Sequence, residues 1–378
     1  MSEDHLPGNR TQPTIDDVAR AAGVSKGTVS HVIGGRVPVT PATRARVDQA
    51  IKALNYRPAE TARALTARKR PADSNQKFNA SVPRLTTVGY LSVDYTACLD
   101  RLPEREERRL ADEIVKSIGG PAANVAAIAA GLGEPFQVAA SLITSIGLDQ
   151  DSDWAAAELS RRRVELIVPR ERRSGRLNRA LVLVEGDGRR TIVTEPSRLN
   201  AVDVQHFVES TDPGGTRWWL HLEGYQVPSQ LAAVRKARIK GFKTSMQATG
   251  LPPDWLREHS EEVFAAFDLV MLHRETLSLL PPGTADVGAG LFYLAAKARA
   301  AGRRGPELVI VTLGAGGSFV GGFLAAWLNG CPLPRALRLA CAAGSLQVTR
   351  FGAQELRPAA SDLTRLVSGA DVPARAML

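Results

Sequence analysis

The chain has 378 residues, 44% of them hydrophobic and 23% charged, with a formal net charge of +9. That length suits two or three domains, and the composition excludes a disordered or fibrous chain. No run approaches the roughly 20 apolar residues that span a bilayer. Scattered Cys98, Cys331 and Cys341 and six dispersed histidines form no zinc-type ligand set. The cysteines are expected as buried apolar side chains in a reducing compartment. No metal or cofactor is expected. The polar stretch Met1–Arg10 lacks the apolar run of a secretory signal, so the expected location is the cytoplasm, at the nucleoid.

Residues 1–13 read as an irregular arm. Thr14 is an N-cap and Asp17 can return its hydrogen bond; Ile15, Val18, Ala19 and Ala22 then fall on one helical face. Gly23 ends that helix in the left-handed conformation. Ser25 caps a second helix to Ile33, with Val29, Val32 and Ile33 inward, and Gly34–Gly35 stops it. Thr40–Pro41 starts a third helix to about Asn55, with Val47, Ile51 and Leu54 on its inner face. From Met1 to Arg70 there are 12 Lys/Arg and 6 Asp/Glu, so most of the positive excess sits in the first fifth of the chain, as suits a polyanion partner. Two short helices joined by a glycine turn under a third describe a helix-turn-helix unit. The N-terminal residues of the second helix would then meet base edges in the major groove. Ser25, Lys26, Gly27, Thr28, Ser30 and His31 are the candidate DNA-facing residues, with Thr14, Arg36, Asn55, Tyr56 and Arg57 beside them.

The runs TIDDVARAAGVSKGTVSHVIGG and VTPATRARVDQAIKALNYRP resemble the DNA-binding domain of the LacI family across residues 14–68. The resemblance implies a hinge helix at PAETARALTARK, with Ala62 and Arg63 at family positions and Leu65 as a minor-groove wedge, a device that needs two apposed protomers. His31 stands where the family usually has arginine, so the operator sequence does not carry over.

Residues 69–84 are polar without periodic apolar positions and read as a linker. From 85 to 370, strand-like and helical runs alternate, as in an α/β domain with a mainly parallel sheet; residues 371–378 form a tail. LTTVGYLSVD reads as one strand, ANVAAIAAGLG as a buried helix, RALVLVEG and RTIVTEP as a hairpin, and WWLHLEGY, FDLVMLH and ELVIVTLG as further strands. Gly119–Gly120 opens a helix whose N-terminus could face a polar ligand, with Asn124 as donor and acceptor. Gly314–Ala315–Gly316–Gly317 precedes another helix. Tight strand-to-helix turns would demand the same glycines.

With their flanks, these stretches resemble the ribokinase (PfkB) family of sugar and nucleoside kinases. The similar segments are VGYLSVDYTACLDRLP, IGGPAANVAAIAAGLG and GAGGSFVGGFLAAWLNGCPLPRALRLACAAGSLQVTRFGA, within residues 86–368. The resemblance implies that Asp94, Gly119, Gly120 and Asn124 form the acceptor side, and that lid strands lie near Ala97–Ala111 and Leu181–Glu195. It also locates the departures. The catalytic aspartate ending GAGD is Gly317, which cannot accept a proton, and an earlier expected aspartate is Val311. The Asn-x-x-Glu motif is replaced by His273-Arg274-Glu275-Thr276. VIVTLGAGGSFVGGF fuses two motifs that the family separates with nucleotide-binding strands. Phosphoryl transfer depends on positioning and charge neutralisation, so a pseudokinase is expected.

The expected function is a homodimeric transcription regulator, a repressor by resemblance, on a pseudopalindromic DNA site. A sugar, nucleoside or related small molecule is the candidate effector. Two alternatives stay open: an active kinase that also binds DNA, with Glu275, Asp149 or Asp151 substituting for lost groups, and a DNA-binding dimer without an effector.

Overall fold

The computed structural model describes residues 14–34, 40–54, 82–168, 175–196, 199, 202–278, 280, 286, 288–290, 305–312, 316–348 and 358–368. The chain divides into two compact units, Met1–Gln76 and Lys77–Leu378.

In the first unit, α1 (Ile15–Ala22), α2 (Lys26–Gly34) and α3 (Pro41–Ala53) follow from their caps. Asp17 N–H donates to Thr14 Oγ1 at 3.4 Å and Thr14 N–H to Asp17 Oδ2 at 2.9 Å, a reciprocal box. Gly23, at φ 62° and ψ 41°, closes α1 in the left-handed region. Thr40 caps α3 through Thr43 N–H, with Pro41 in the first turn. Val18, Ala19, Ala22, Val29, Val32, Val47 and Ala50 are buried together, with Ile51 and Leu54 packed on them. Two boundaries move by a residue or two: α2 ends at Gly34 and α3 at Ala53.

The second unit is built on a seven-stranded parallel sheet in the order β11-β10-β9-β8-β1-β4-β5. Its strands are β1 (Arg84–Val88), β4 (Ala139–Ile143), β5 (Val164–Ile167), β8 (Trp218–Glu223), β9 (Lys243–Gln247), β10 (Leu269–His273) and β11 (Leu308–Thr312). One face packs on α4 (Pro121–Gly131), α5 (Gln150–Arg161), α10 (Gly317–Leu328), α11 (Leu333–Val348) and α12 (Ala360–Val367). The other packs on α6 (Val204–Ser210), α7 (Val227–Lys240), α8 (Pro253–Ala266) and α9 (Arg274–Ser278). Strand order runs outward from β1 in both directions. The switch between β1 and β8 is therefore where a ligand crevice opens, at the carboxyl ends of the strands.

A second sheet, β3-β2-β6-β7, joins β2 (Ser92–Leu99), β3 (Glu113–Gly119), β6 (Asn178–Glu185) and β7 (Arg190–Thr194). The pair β6–β7 is the expected hairpin. The other expected lid segment is corrected: its strands lie at Ser92–Leu99 and Glu113–Gly119, and the residues between are irregular. There Arg101 and Arg109 both pair with Glu107, and Arg109 also with Asp100.

LTTVGYLSVD is two strands in two sheets. The break falls at Gly89, whose φ is 150° and where an added Cβ would lie 2.2 Å from the Glu223 Cδ. Arg84, placed in the linker on sequence, opens β1, with its guanidinium 4.6 Å from the Trp218 ring centroid. Cys98 and Cys331 are buried, but Cys341 is exposed. Among the described residues no helix is long and apolar enough to cross a membrane.

Candidate DNA-binding face and candidate ligand site

The first turn of α2 is exposed at Ser25, Lys26 and Gly27. Ser25 Oγ accepts from Thr28 N–H at 3.1 Å and lies 2.9 Å from the Thr28 hydroxyl. Thr28 is thus a half-buried member of the cap, and its hydroxyl is already engaged. Lys26 Nζ donates to Asp16 Oδ2 at 2.8 Å, both side chains being more than half exposed. Such a pair contributes about 0–1 kcal/mol, so phosphate can displace it at little cost. Thr14 shapes the start of α1. Its backbone N–H and hydroxyl both donate to Asp17, which holds that carboxyl below its ordinary range. Ser30 and His31 lie on α2, and their side chains are outside the described residues, as are Arg36, Asn55, Tyr56, Arg57, Ala62, Arg63 and Leu65.

In the second unit, Asp94, Gly119, Gly120 and Asn124 converge at the switch point although they come from β2, β3 and α4. The Asp94 carboxyl sits against the Gly119 backbone: a Cβ there would lie 2.0 Å from Asp94 Oδ1. Gly120, at φ 100°, brings its Cα onto the Tyr90 carbonyl, 2.2 Å from where a Cβ would stand. Both positions therefore exclude any larger residue. Asn124 N–H donates to the Gly120 carbonyl at 2.9 Å, setting the first turn of α4. Burial pushes the Asp94 carboxyl up, opposed by the hydrogen bond from the Ser92 hydroxyl at 2.8 Å.

Sequence reasoning missed Glu223, the last residue of β8. It is fully buried and accepts Tyr90 N–H at 2.6 Å and Ala122 N–H at 3.0 Å. It thereby ties the β1–β2 connection to the first turn of α4. Burial pushes its pKa up to about 8 despite these two donors. The only sequence signal was an acid closing the apolar run WWLHLE. Beside it, His221 and Ser245 share a 2.9 Å hydrogen bond, and burial drives the His221 imidazole down to about 3, so it is neutral. Tyr90 stacks obliquely on Tyr225 at 5.9 Å, and its hydroxyl accepts from Asn178 Nδ2 of the lid at 2.6 Å.

The remaining kinase-like positions fare differently. Gly314 and Ala315 lie outside the described residues. Gly316 is the N-cap of α10 and supplies no side-chain cap. Gly317 opens α10 against α4: a Cβ there would fall 2.7 Å from the Asn124 Cβ and 3.2 Å from the Pro121 carbonyl oxygen. Only residues 313–316 connect β11 to α10, and among the described residues no strand follows β11. His273 Nδ1 stands 3.7 Å from Glu275 Oε2, and Glu275 is largely exposed. Asp149 and Asp151 serve the framework. Asp149 caps α5, and Asp151 binds Lys116 Nζ of β3 at 2.7 Å. Among the described residues no group of three or more His, Cys, Asp or Glu side chains is arranged to hold a metal ion.

Residues 14–59 match the family of bacterial regulatory proteins named lacI, and residues 82–282 and 288–360 match the pfkB family of carbohydrate kinases. The chain is 30% identical over 286 residues to an ATP-dependent ribose-1-phosphate kinase of Halopiger xanaduensis, spanning 72% of this chain and 94% of that protein. It is 46% identical over 77 residues to the HTH-type transcriptional regulator CelR of Thermobifida fusca, spanning 19% of this chain and 23% of that protein. A putative ribokinase from Agrobacterium tumefaciens superposes with a TM-score of 0.60 at 19% identity, covering 76% of this chain and 98% of that one; at that identity the likeness is one of fold.

Proposed function

Because the chain belongs to the pfkB family of carbohydrate kinases and opens with a lacI-type DNA-binding unit, we propose that it regulates transcription as a homodimer whose kinase-family unit no longer transfers phosphate. In this reading α2 enters the major groove, with exposed Lys26 and the surrounding basic residues on phosphate. Two protomers bind a pseudopalindromic site, and promoter occlusion represses.

The observation that carries the loss of catalysis is Gly317. It holds the position matching the family's catalytic aspartate, has no group to take a proton, and leaves no room for one, with Asn124 2.7 Å from a Cβ there. The short β11–α10 connection agrees, since it leaves little chain to wall a nucleotide. The acceptor side keeps Asp94, Glu223 and the paired glycines, a set suited to hydroxyl groups. Pentoses, nucleosides and the ribose 1-phosphate named for the Halopiger xanaduensis relative are the first effectors to test. The lid offers a contact between protomers: Ile114, Leu181 and Val193 share one face of its sheet and are each more than half exposed. An effector that favours one dimer geometry would change operator affinity.

The test is a thermal-shift panel of sugars, nucleosides and Mg·ATP, paired with fluorescence anisotropy on DNA over a salt series. The expected result is a shift with one sugar or nucleoside, none with Mg·ATP, and DNA affinity falling with a log–log slope of about −0.9 per phosphate contacted. A Mg·ATP shift with phosphoryl transfer would overturn the pseudokinase reading. No shift with any compound would leave a DNA-binding dimer without an effector.

A further inference from the structure

Thr86 and Ser141 pair their buried hydroxyls at 2.8 Å, and Thr244 Oγ1 donates to Asp268 Oδ2 at 3.1 Å. Ser117 Oγ and Gln247 Nε2 are equally buried but have no hydrogen-bond partner among the described residues. A buried polar atom left unpaired costs about as much as a lost hydrogen bond, so each such atom calls for a specific cause.

The two atoms belong to residues that stand beside the two acids of the acceptor site. Ser117 lies directly opposite Asp94 in the β2–β3 pair. Their side chains therefore leave the same face of the lid sheet, with Cβ atoms about 4.5–5.5 Å apart. Gly119, whose backbone the Asp94 carboxyl crowds, is two residues further along that face. Asp94 Oδ1 takes its hydrogen bond from the Ser92 hydroxyl, not from Ser117.

Gln247 closes β9 and lies opposite Glu223 in the β8–β9 pair. Along β8, Leu220 and Leu222 face the core shared with α7, and Trp219 faces the core shared with α4. Side chains alternate along a strand, so Glu223 and its neighbour Gln247 turn toward α4. Both sit at the carboxyl end of the sheet, where the crevice opens. The Glu223 oxygens are engaged by the Tyr90 and Ala122 N–H groups, and neither takes the Gln247 amide. One unpaired group thus stands on the lid beside Asp94, and the other on the sheet floor beside Glu223.

We propose that Ser117 and Gln247 are contacts for the ligand of the acceptor site, the serine hydroxyl bonding a ligand hydroxyl beside Asp94 and the glutamine amide donating to an oxygen of the same molecule. The assignment rests on the effector reading above and narrows it to a polyol that reaches both the lid and the sheet floor. A hydroxyl both donates and accepts, so one kind of ligand group satisfies serine, carboxyl and carboxamide alike.

The full chain is measured by thermal unfolding without ligand, then by thermal shift and calorimetric Kd with D-ribose and with adenosine. Ser117→Ala and Gln247→Leu should each raise the unliganded Tm by about 2 °C, because each removes a buried polar atom that the unliganded fold leaves unpaired. Ser141→Ala, which removes a paired hydroxyl, should lower it. The parent chain should bind D-ribose or adenosine, with Kd weakened about twofold to tenfold in Ser117→Ala and in Gln247→Leu and unchanged in Ser141→Ala. A Tm that falls in both site variants, as in Ser141→Ala, shows partners already in place and overturns the assignment. Parent-like Kd values in both variants overturn the assignment alone and leave the effector reading standing. If the parent chain binds neither compound, the pentose and nucleoside reading of the site falls, and this assignment with it.

Discussion

The two ends of the kinase-family unit differ in the groups they present while sharing one core. At the acceptor end, Asp94, Glu223, Gly119 and Gly120 are fitted to one another so closely that added Cβ atoms would overlap neighbours at 2.0–2.2 Å. At the proposed nucleotide end, α10 starts from two glycines with no side-chain cap and no carboxyl group, and four residues separate it from β11. Yet α10 is almost wholly buried, with Phe319, Phe323 and Leu324 in the same core as α4. Its first turn is packed as well: Ser318 and Phe319 are buried, and Gly317 lies against Asn124 of α4.

Substitutions at three positions would break or sharpen this contrast. Glu223→Ala should have the largest effect, about 3 kcal/mol in denaturant unfolding, because two buried N–H groups lose their acceptor. Its sign with pH can be worked out. A carboxyl raised from 4.5 to about 8 on folding contributes its full stability below about 4.5 and loses it as pH rises through about 8. The stability of the parent chain relative to Glu223→Gln should therefore shrink between pH 5 and 9; a constant difference would place the carboxylate in an ionised, solvated state. Next, Gly317→Asp should cost about 2 kcal/mol by overpacking Asn124 and yield no phosphoryl transfer from Mg·ATP to any sugar. Measurable turnover would show that the nucleotide end is merely dormant. Smallest is Asp94→Asn, expected to change stability by less than about 1 kcal/mol, since burial already disfavours the charged form, while removing the effector-induced thermal shift. A large stability loss with no change in ligand response would make Asp94 a support of the fold.

Legibility in the sequence followed the range of the interactions. The caps at Thr14, Gly23, Ser25 and Thr40 involve partners within a few residues, and each was readable with its helix. So were β6, β7, β8, β10 and β11, whose apolar runs stand out. β9, KTSMQ, was not: Thr244, Ser245 and Gln247 are buried polar residues in the middle of a parallel sheet, with Ser245 bound to His221 and Thr244 to Asp268. The single strand read across Gly89 failed because its apolar pattern continues through a break forced by Glu223, whose bond to Tyr90 spans 133 residues. Four ligand-side residues came from motif likeness; of these, Gly119 lies against Asp94, and Asn124 N–H binds the Gly120 carbonyl. Glu223 had no local partner to announce it.

The central strand also sets an order of events during synthesis. Trp218 Nε1 of β8 donates to Thr86 Oγ1 of β1 across 132 residues of chain. At about 5–20 residues per second, β1 waits roughly 7–26 s for its second neighbour to leave the ribosome. The caps and core of the first unit need only the residues up to about Leu54, and such local contacts close within milliseconds. Each nascent chain therefore carries a finished three-helix unit well before the seven-stranded sheet exists.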